Sequence, residues 1–356
     1  MLHFSCYIYA FLLIFIFTFA AAFIPDGRFG HSSILIDSKL YVSGGFKFID
    51  DGRLNLTNEF FYLDVSKSFT TTDPNSMPWT DLTFTGGPDK NLATACSGNN
   101  NSIFIIGGNG VLNSQPPPFV NQFDINKQQW ADVPFHGCGL KNRVAVSCTG
   151  FNNGLISIFG GCTNTSGSVE FVNDLWVFNT LKSAWGISIA INAPLPRCNY
   201  RAITLPDGNI LYIGGNNSTS LMPMDNLPLY NTTSIAWISV TTSGATPPGR
   251  QRFSAVLTLD GRIIVFGGID YESTFLGDLW ILDINTFQWS AGQISNPIAD
   301  LNISGHTATL VNNYMFVTFG LFNNESASAT IYMLDVSQKD SYAWVTEFTP
   351  NATNLM

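Results

Sequence analysis

The segment FSAVLTLDGRIIVFGG at residues 253–268, followed by DLWILDINTFQW at residues 278–289, carries the clearest structural pattern in the chain. It reads as four short apolar runs that are joined by turns. Asp260-Gly261 is a favourable pair for a tight hairpin between the first two runs, and Gly267-Gly268 ends the second run. Short runs rich in β-branched and aromatic residues, bounded by such turns, predict a four-stranded antiparallel sheet.

The same pattern recurs along the chain. Its glycine pairs, of which the last copy is degraded, begin at Gly44, Gly107, Gly160, Gly214, Gly267 and Gly320, in steps of 63, 53, 54, 53 and 53 residues. A tryptophan follows each pair, at Trp79, Trp130, Trp185, Trp237, Trp289 and Trp344. One four-stranded sheet cannot bury both of its faces alone, whereas six sheets around an axis bury them against each other. The spacing therefore predicts an all-β, six-bladed β-propeller of four-stranded antiparallel blades.

Two segments connect the repeat to a family. Arg28-Phe29-Gly30-His31-Ser32 and Asn173-Asp174-Leu175-Trp176 resemble the kelch repeat, and the resemblance covers residues 25–348, leaving residues 349–356 as a tail. It implies a kelch-type propeller similar to the galactose oxidase central domain, in a secreted form of the fungal or protist kind. The last copy departs from the motif at Leu321. The chain starts at a first strand and ends after a fourth, so this phase offers no obvious blade shared between the termini, and how the ring closes stays open at this point.

Composition excludes one class of partner. The net charge is −9, and only 16 lysines and arginines are spread over 356 residues. A nucleic-acid-binding protein needs a basic face that displaces counterions from phosphates. We therefore expect no DNA or RNA partner.

The N-terminus indicates export. Residues 4–24 carry no charged side chain, and Ala20-Ala21-Ala22 suits signal peptidase, so residues 1–22 are predicted to be a signal peptide. An uncleaved signal anchor through residues 4–24 is the alternative. A cleaved signal peptide predicts a secreted, extracellular or lumenal glycoprotein, and an uncleaved anchor predicts a single-pass membrane-anchored one whose remaining chain faces the lumen or the exterior. Asn-x-Ser/Thr sequons support this location, at Asn55, Asn100, Asn164, Asn216, Asn217, Asn231, Asn302, Asn324 and Asn351.

Five cysteines follow the signal-like segment, at Cys96, Cys138, Cys148, Cys162 and Cys198. In an oxidising compartment we expect one or two disulfides and one remaining thiol. The connectivity stays open at this point. Cys96 and Cys148 precede their glycine pairs at similar positions, so they could face each other across neighbouring blades.

The residues that could support catalysis are sparse. A copper oxidase of the galactose oxidase type needs clustered histidines, but His31 and His306 share one repeat position and His136 lies in a loop. The Glu-x-x-x-Asp-x-x-x-His iron motif of kelch-type specifier proteins has Phe178 in place of its histidine. We therefore predict no catalytic residue, metal or cofactor.

The candidate ligand-binding residues lie at repeat positions and in long loops. Arg28, Arg197 and Arg250 share one register before the first strand, where they either brace adjacent blades or form donors near the channel mouth. The long loops join the second to the third strand and the fourth strand to the next blade, on one face of the propeller. Aromatic candidates in the first set of loops are Phe46, Phe48, Phe119, Tyr271 and Phe275, which either contact a ligand or anchor the loops.

These observations predict an extracellular or lumenal, non-enzymatic module that binds an unknown protein or glycan. One alternative is a galactose-oxidase-like or other carbohydrate-directed enzyme with its site at the channel mouth. Another is the lumenal part of a membrane-anchored receptor, and a membrane is a partner only if the N-terminal segment is uncleaved.

Overall fold

The structure is a computed structural model that describes residues 22–49, 52–98, 101–110, 119–133, 142–165 and 168–350. Six four-stranded antiparallel sheets, the blades, follow one another in sequence, so the predicted six-bladed β-propeller is confirmed. From inner to outer, the strands are Ser32–Ile36, Lys39–Ser43, Phe60–Asp64 and Trp79–Asp81 in blade 1; Asn91–Gly98, Ser102–Asn109, Val120–Asp124 and Gln129–Asp132 in blade 2; Cys148–Phe151, Leu155–Phe159, Leu175–Asn179 and Ala184–Ile187 in blade 3; Arg201–Thr204, Ile210–Ile213, Asn226–Asn231 and Ala236–Thr241 in blade 4; Ser254–Leu257, Arg262–Ile269, Phe275–Asp283 and Gln288–Gly292 in blade 5; and Thr307–Val311, Tyr314–Thr318, Ile331–Asp335 and Ala343–Val345 in blade 6.

Smaller elements decorate the blades. Two-stranded sheets pair Phe46–Phe48 with Leu54–Leu56, Cys162–Thr165 with Ser168–Phe171, Ile303–Ser304 with Leu321–Phe322, and Glu347–Phe348 with Phe69–Thr70. Ser243–Gly244 adds a parallel strand outside Gln288–Gly292. The helical elements of the described residues are two 3₁₀ turns, Pro74–Ser76 and Thr83–Thr85. No helix in the described ranges has the length and apolar character needed to cross a bilayer.

The second strand of each blade forms the core of the molecule. In Ile210–Ile213 every residue is buried, and the same is true of Arg262–Ile269. A sheet that is covered on both faces by neighbouring sheets reads as a continuous apolar run instead of an alternating one. This is why the run before each glycine pair is almost wholly apolar.

The tryptophan of each fourth strand packs against the preceding blade. Ring centroids lie 4.9 Å apart for Trp130 and Phe60, and 5.4 Å apart for Trp344 and Phe266. Trp289 is buried and donates from Nε1 to the carbonyl of Met224 in blade 4. These indoles fill the space where adjacent sheets diverge.

The glycine pairs allow neighbouring blades to approach closely. A Cβ on Gly160 would lie 2.7 Å from the carbonyl oxygen of Arg197 in the next blade, and Gly160 and Gly161 both have positive φ. The register predicted for the sixth copy is wrong. Phe319, with φ 55°, occupies the first glycine position and Gly320 the second, so the missing glycine is the first, while Leu321 follows the pair as Phe46 does in blade 1.

The ring closes between blade 6 and blade 1 without a shared blade. Phe319 is fully buried there, and its ring lies 5.5 Å from the guanidinium of Arg28. The amide of Gly320 donates to the carbonyl of Arg28 at 2.7 Å. Glu347–Phe348 pairs with Phe69–Thr70 of blade 1, which adds a second contact at the rim.

Two disulfides link consecutive blades. Cys96 of blade 2 is bonded to Cys148 of blade 3, the pair that the shared repeat position suggests. Cys162 of blade 3 is bonded to Cys198, which precedes the first strand of blade 4. Cys138 lies outside the described residues.

Candidate binding site at the mouth of the channel

The face that carries the loops between the second and third strands, and between the fourth strand and the next blade, is called the upper face here. Arg28 and Arg250, two of the three arginines predicted from the register, are fully buried beneath it. Arg143, at the same register in front of blade 3, is buried as well, and the sequence analysis missed it.

These arginines brace the blades. Arg143 and Arg250 donate from Nη1 to the carbonyl of the first glycine of their blade, at 2.9 and 3.2 Å. Each also forms a bidentate ion pair, Arg143 with Asp174 and Arg250 with Asp278. Arg28 donates to the carbonyl of Gly44 and pairs with Glu59. The hypothesis that Arg28 and Arg250 are free donors at the channel mouth is therefore wrong, because their guanidiniums are already paired with carboxylates of the chain.

Arg197 differs from its counterparts. Its side chain is buried, and its one hydrogen bond to a described residue runs from Nε to the carbonyl of Leu195 at 3.4 Å. No carboxylate of the described residues lies within ion-pair distance of Arg197. Burial lowers the pKa of Arg197 to about 10.

The aromatic candidates fall into two groups. Phe46 and Phe48 both pack against Phe29, with ring centroids 5.6 and 6.0 Å from it. Phe119 contacts Trp185 of the next blade. Phe275 begins a strand and is partly buried, so these four side chains serve mainly as loop anchors. Tyr271, with 77% of its surface exposed, is free to contact a ligand.

A closed ring of backbone hydrogen bonds surrounds the channel just inside the upper face. Each amide donates to the carbonyl of its counterpart in the preceding blade, at 2.7–3.2 Å. All six residues have left-handed backbone, with φ between 51° and 63°. The ring residues are Gly30, Leu92, Ala145, Asn199, Arg252 and Gly305. Two of them are glycines, so the other four accept a conformation that side chains disfavour.

All six ring residues line a cavity of about 210 Å³ at the upper end of the channel. Its wall is formed by residues 30–33, 92–95, 145–148, 199–202 and 305–308, with Arg252 and Ala255. Arg201 and Arg252 are the arginines of this wall, and no aspartate or glutamate among the described residues lines it. In a chain of net charge −9, the mouth of the channel is therefore locally positive.

Both arginines reach water, Arg252 more than Arg201. Arg252 is exposed and Arg201 is partly buried, with a 3.4 Å hydrogen bond from Arg201 Nη2 to the carbonyl of His306. Burial lowers the pKa of Arg201 to about 10 and also lowers the pKa of Arg252. A neighbouring carboxylate would act in the opposite direction. Both side chains remain cations at neutral pH and are able to form charge-assisted hydrogen bonds with an anion.

The channel histidines are neutral parts of the wall. His306 Nε2 lies 2.7 Å from Ser254 Oγ, and His31 Nε2 lies 2.9 Å from Thr307 Oγ1, so each ring reaches a hydroxyl of the preceding blade. Burial lowers the pKa of His306 to about 3 and that of His31 well below its usual value. Within the described ranges, no three histidine, cysteine or acidic side chains are grouped so that they could hold a metal ion. His136 lies outside these ranges.

The sequons differ in accessibility. Asn55, Asn302 and Asn324 are exposed on the upper face. Asn216 is partly buried, and its Oδ1 accepts from Asn199 Nδ2 at 2.9 Å. Asn217 and Asn231 are partly buried, and their side chains accept hydrogen bonds within turns. Asn100 and Asn351 lie outside the described residues, and so does the side chain of Asn164.

Comparison with known sequences agrees with this geometry. A family model described as the KLHDC2/KLHL20/DRC7 Kelch-repeats domain matches residues 30–260 and 214–352. The chain belongs to the kelch-repeat family. Kelch domain-containing protein 10 of Rattus norvegicus is 25% identical over 278 residues, which cover 74% of this chain and 65% of that protein.

Two further relatives share only part of the kelch propeller. Host cell factor 1 of Homo sapiens is 28% identical over 245 residues, covering 61% of this chain and 11% of that protein. The flagellar outer arm dynein alpha chain of Chlamydomonas reinhardtii is 29% identical over 137 residues, covering 37% of this chain and 3% of that protein. The chain thus spans less than two thirds of the length of these relatives.

Proposed function

We propose that this kelch propeller is a non-enzymatic protein-binding module that takes an acidic segment of its partner at the mouth of the channel. The observation that carries the proposal is the pair Arg201 and Arg252 in a cavity wall without a described carboxylate. Hydrogen bonds to charged groups contribute roughly 1.5–3 kcal/mol each, more than neutral ones. Because the Arg201 guanidinium is partly desolvated before binding, it loses less hydration when a carboxylate arrives than a free side chain would.

The size of the cavity limits what enters it. A volume of about 210 Å³ holds one or two side chains and excludes a folded domain. An extended segment or a loop tip is therefore the fitting occupant, with the rest of the partner resting on the upper face. Tyr271 is the exposed aromatic side chain that would extend the contact.

We also infer that the module works in a secreted, extracellular or lumenal compartment. Two disulfides support this location, because such bonds persist in oxidising compartments. The exposed sequons Asn55, Asn302 and Asn324 are the favoured glycan carriers. The test is the intact mass of the chain expressed through a eukaryotic secretory pathway, before and after deglycosylation. A product that starts at Phe23 with removable glycan mass is expected, whereas an unglycosylated chain that retains Met1 would overturn the inference.

The binding proposal is tested by selection from a peptide display library on the immobilised protein. Peptides rich in aspartate and glutamate are expected to be enriched on the wild type and not on Arg252→Gln. Lys182→Gln, an exposed lysine in a turn on the opposite face, is the matched charge control and should leave the selection unchanged. Enrichment without acidic bias, or enrichment that survives Arg252→Gln, contradicts the proposal. Binding on a glycan array with no peptide enrichment would favour a glycan-binding module instead.

A further inference from the structure

Three blades share one arrangement of charged groups beneath the upper face. The buried arginine before the first strand meets an acid at the start of the third strand, as Arg143 meets Asp174 and Arg250 meets Asp278. The nearest pairs of atoms are 2.6 and 2.7 Å apart. In blade 1, Glu59 takes the same place beside Arg28.

The acids of these pairs are open to solvent on one side. Their side chains are 29% exposed for Asp174, 39% for Asp278 and 23% for Glu59, while the arginines are at most 2% exposed. The carboxylate position is therefore reachable from the upper face even though the guanidinium is not. A carboxylate from outside the chain could occupy such a position.

Blade 4 keeps the arginine and lacks the acid. By strand register, Asn226 stands where Asp174 and Asp278 stand, since Leu227 follows it as Leu175 and Leu279 follow the acids. Asn226 is exposed, and its side chain accepts a hydrogen bond from Ser239. Arg197 is only 4% exposed and still has no carboxylate partner among the described residues.

The strands of blade 4 also separate at this end. The ladder between its second and third strands is described for Ile210–Tyr230 and Leu211–Leu229 only. In blade 3 the corresponding ladder continues to Phe159–Leu175, beside the acid. Pro228 stands where Trp176 donates its Nε1 hydrogen to Asp174 in blade 3. Proline has no such donor and is smaller, so the carboxylate position of blade 4 has also lost its indole.

We propose that Arg197 is a carboxylate-binding subsite of the upper face, which an acidic side chain of the bound partner completes. That the carboxylate comes from a protein partner rests on the proposed function, whereas the ability of Arg197 to bind a carboxylate does not. Burial of an unpaired cation is costly, and a carboxylate with bidentate geometry is the group that the other blades supply to the same guanidinium. Free carboxylates such as acetate share this chemistry, so they are expected to bind weakly.

The first experiment measures thermal unfolding in sodium acetate against sodium chloride at the same ionic strength. For the wild type, acetate at tenfold its dissociation constant should raise the melting temperature by on the order of 2 °C. Arg197→Met keeps much of the apolar packing of the stem and should lose the Arg197-dependent part of the acetate response, leaving the part that is due to Arg201 and Arg252. Lys182→Gln should keep it. An equal response in the wild type and Arg197→Met, or no response in the wild type, overturns the subsite.

The second experiment separates this subsite from the channel mouth. An acidic peptide selected on the wild type is titrated into the wild type, Arg197→Met and Arg252→Gln. A tenfold or greater weakening with Arg197→Met, alongside a loss with Arg252→Gln, supports both proposals. If only Arg252→Gln weakens peptide binding, the proposed function is supported, and the proposal that the peptide reaches the Arg197 subsite is contradicted. An acetate response that depends on Arg197, without any acidic peptide binding, supports a site for free carboxylates and contradicts the protein-binding function.

Discussion

Replacing Ala145 with glycine should stabilise the protein, which is the reverse of the usual effect of this substitution in a propeller strand or turn. Ala145 is one of the six ring residues and has φ 56°. Left-handed backbone costs a residue with a Cβ about 1–2 kcal/mol. The added flexibility of glycine in the unfolded chain costs about 0.5–1 kcal/mol. The net expectation for Ala145→Gly is a gain of roughly 0.5 kcal/mol in the free energy of unfolding.

Ala202→Gly is the matched control. Ala202 lies in the first strand of blade 4, outside the left-handed region, and lines the same cavity. There the substitution relieves no strain and should cost about 1 kcal/mol, from backbone entropy and a lost methyl group. Equilibrium urea unfolding followed by tryptophan fluorescence measures both variants. If Ala145→Gly destabilises the protein as much as Ala202→Gly does, the left-handed ring does not exist in solution.

Three other predictions concern stability. Replacing Cys96 and Cys148 with alanine opens a link across 52 residues and should lower the free energy of unfolding by up to about 4 kcal/mol, as measured by chemical unfolding under non-reducing conditions. Arg143→Met should lower the free energy of unfolding by about 1–3 kcal/mol in the same assay, a cost that stays moderate because the partly exposed Asp174 keeps some hydration when its partner is lost. A loss below about 0.5 kcal/mol, on the order expected for a surface ion pair, would contradict the bracing role. His306 has a depressed pKa when folded, so the stability that it contributes is present above pH 6.5 and falls as the pH drops toward 3. Between pH 6.5 and 4 the His306 share should cost about 3 kcal/mol in the free energy of unfolding, so His306→Gln should lose about that much less than the wild type, with His31 still contributing in both, as measured by unfolding midpoints against pH.

The sequence predicted the fold because the repeat places its strongest signals at positions where blades meet. Every blade needs close contact with its neighbour, a filled space between diverging sheets and a tight hairpin, and these needs are met by glycine pairs, tryptophans and pairs such as Asp260-Gly261. The register failed only in the sixth copy, where Phe319 adopts positive φ in place of a glycine. A pattern search assigns Phe319 to the apolar strand, because phenylalanine is typical of strands and does not indicate left-handed backbone.

The candidate site was less accessible to sequence analysis. The register before the first strand picked out Arg28, Arg197 and Arg250, but spacing alone does not separate a paired guanidinium from an unpaired one. That difference depends on the residue 28 to 31 positions later, which is an acid in blades 1, 3 and 5. Comparing those positions across repeats would have flagged Asn226 as the exception. Arg252 was overlooked because it stands two residues after the more regular Arg250.

Calorimetric titration measures whether a carboxylate binds at the mouth of the channel. An acid-rich peptide selected on the wild type is compared with its twin in which every aspartate and glutamate is replaced by the amide. The amide twin should bind at least tenfold more weakly, and Arg252→Gln should remove most of this difference, since tenfold corresponds to about 1.4 kcal/mol and one charged hydrogen bond supplies that much. Equal affinity of the two peptides for the wild type would contradict this prediction.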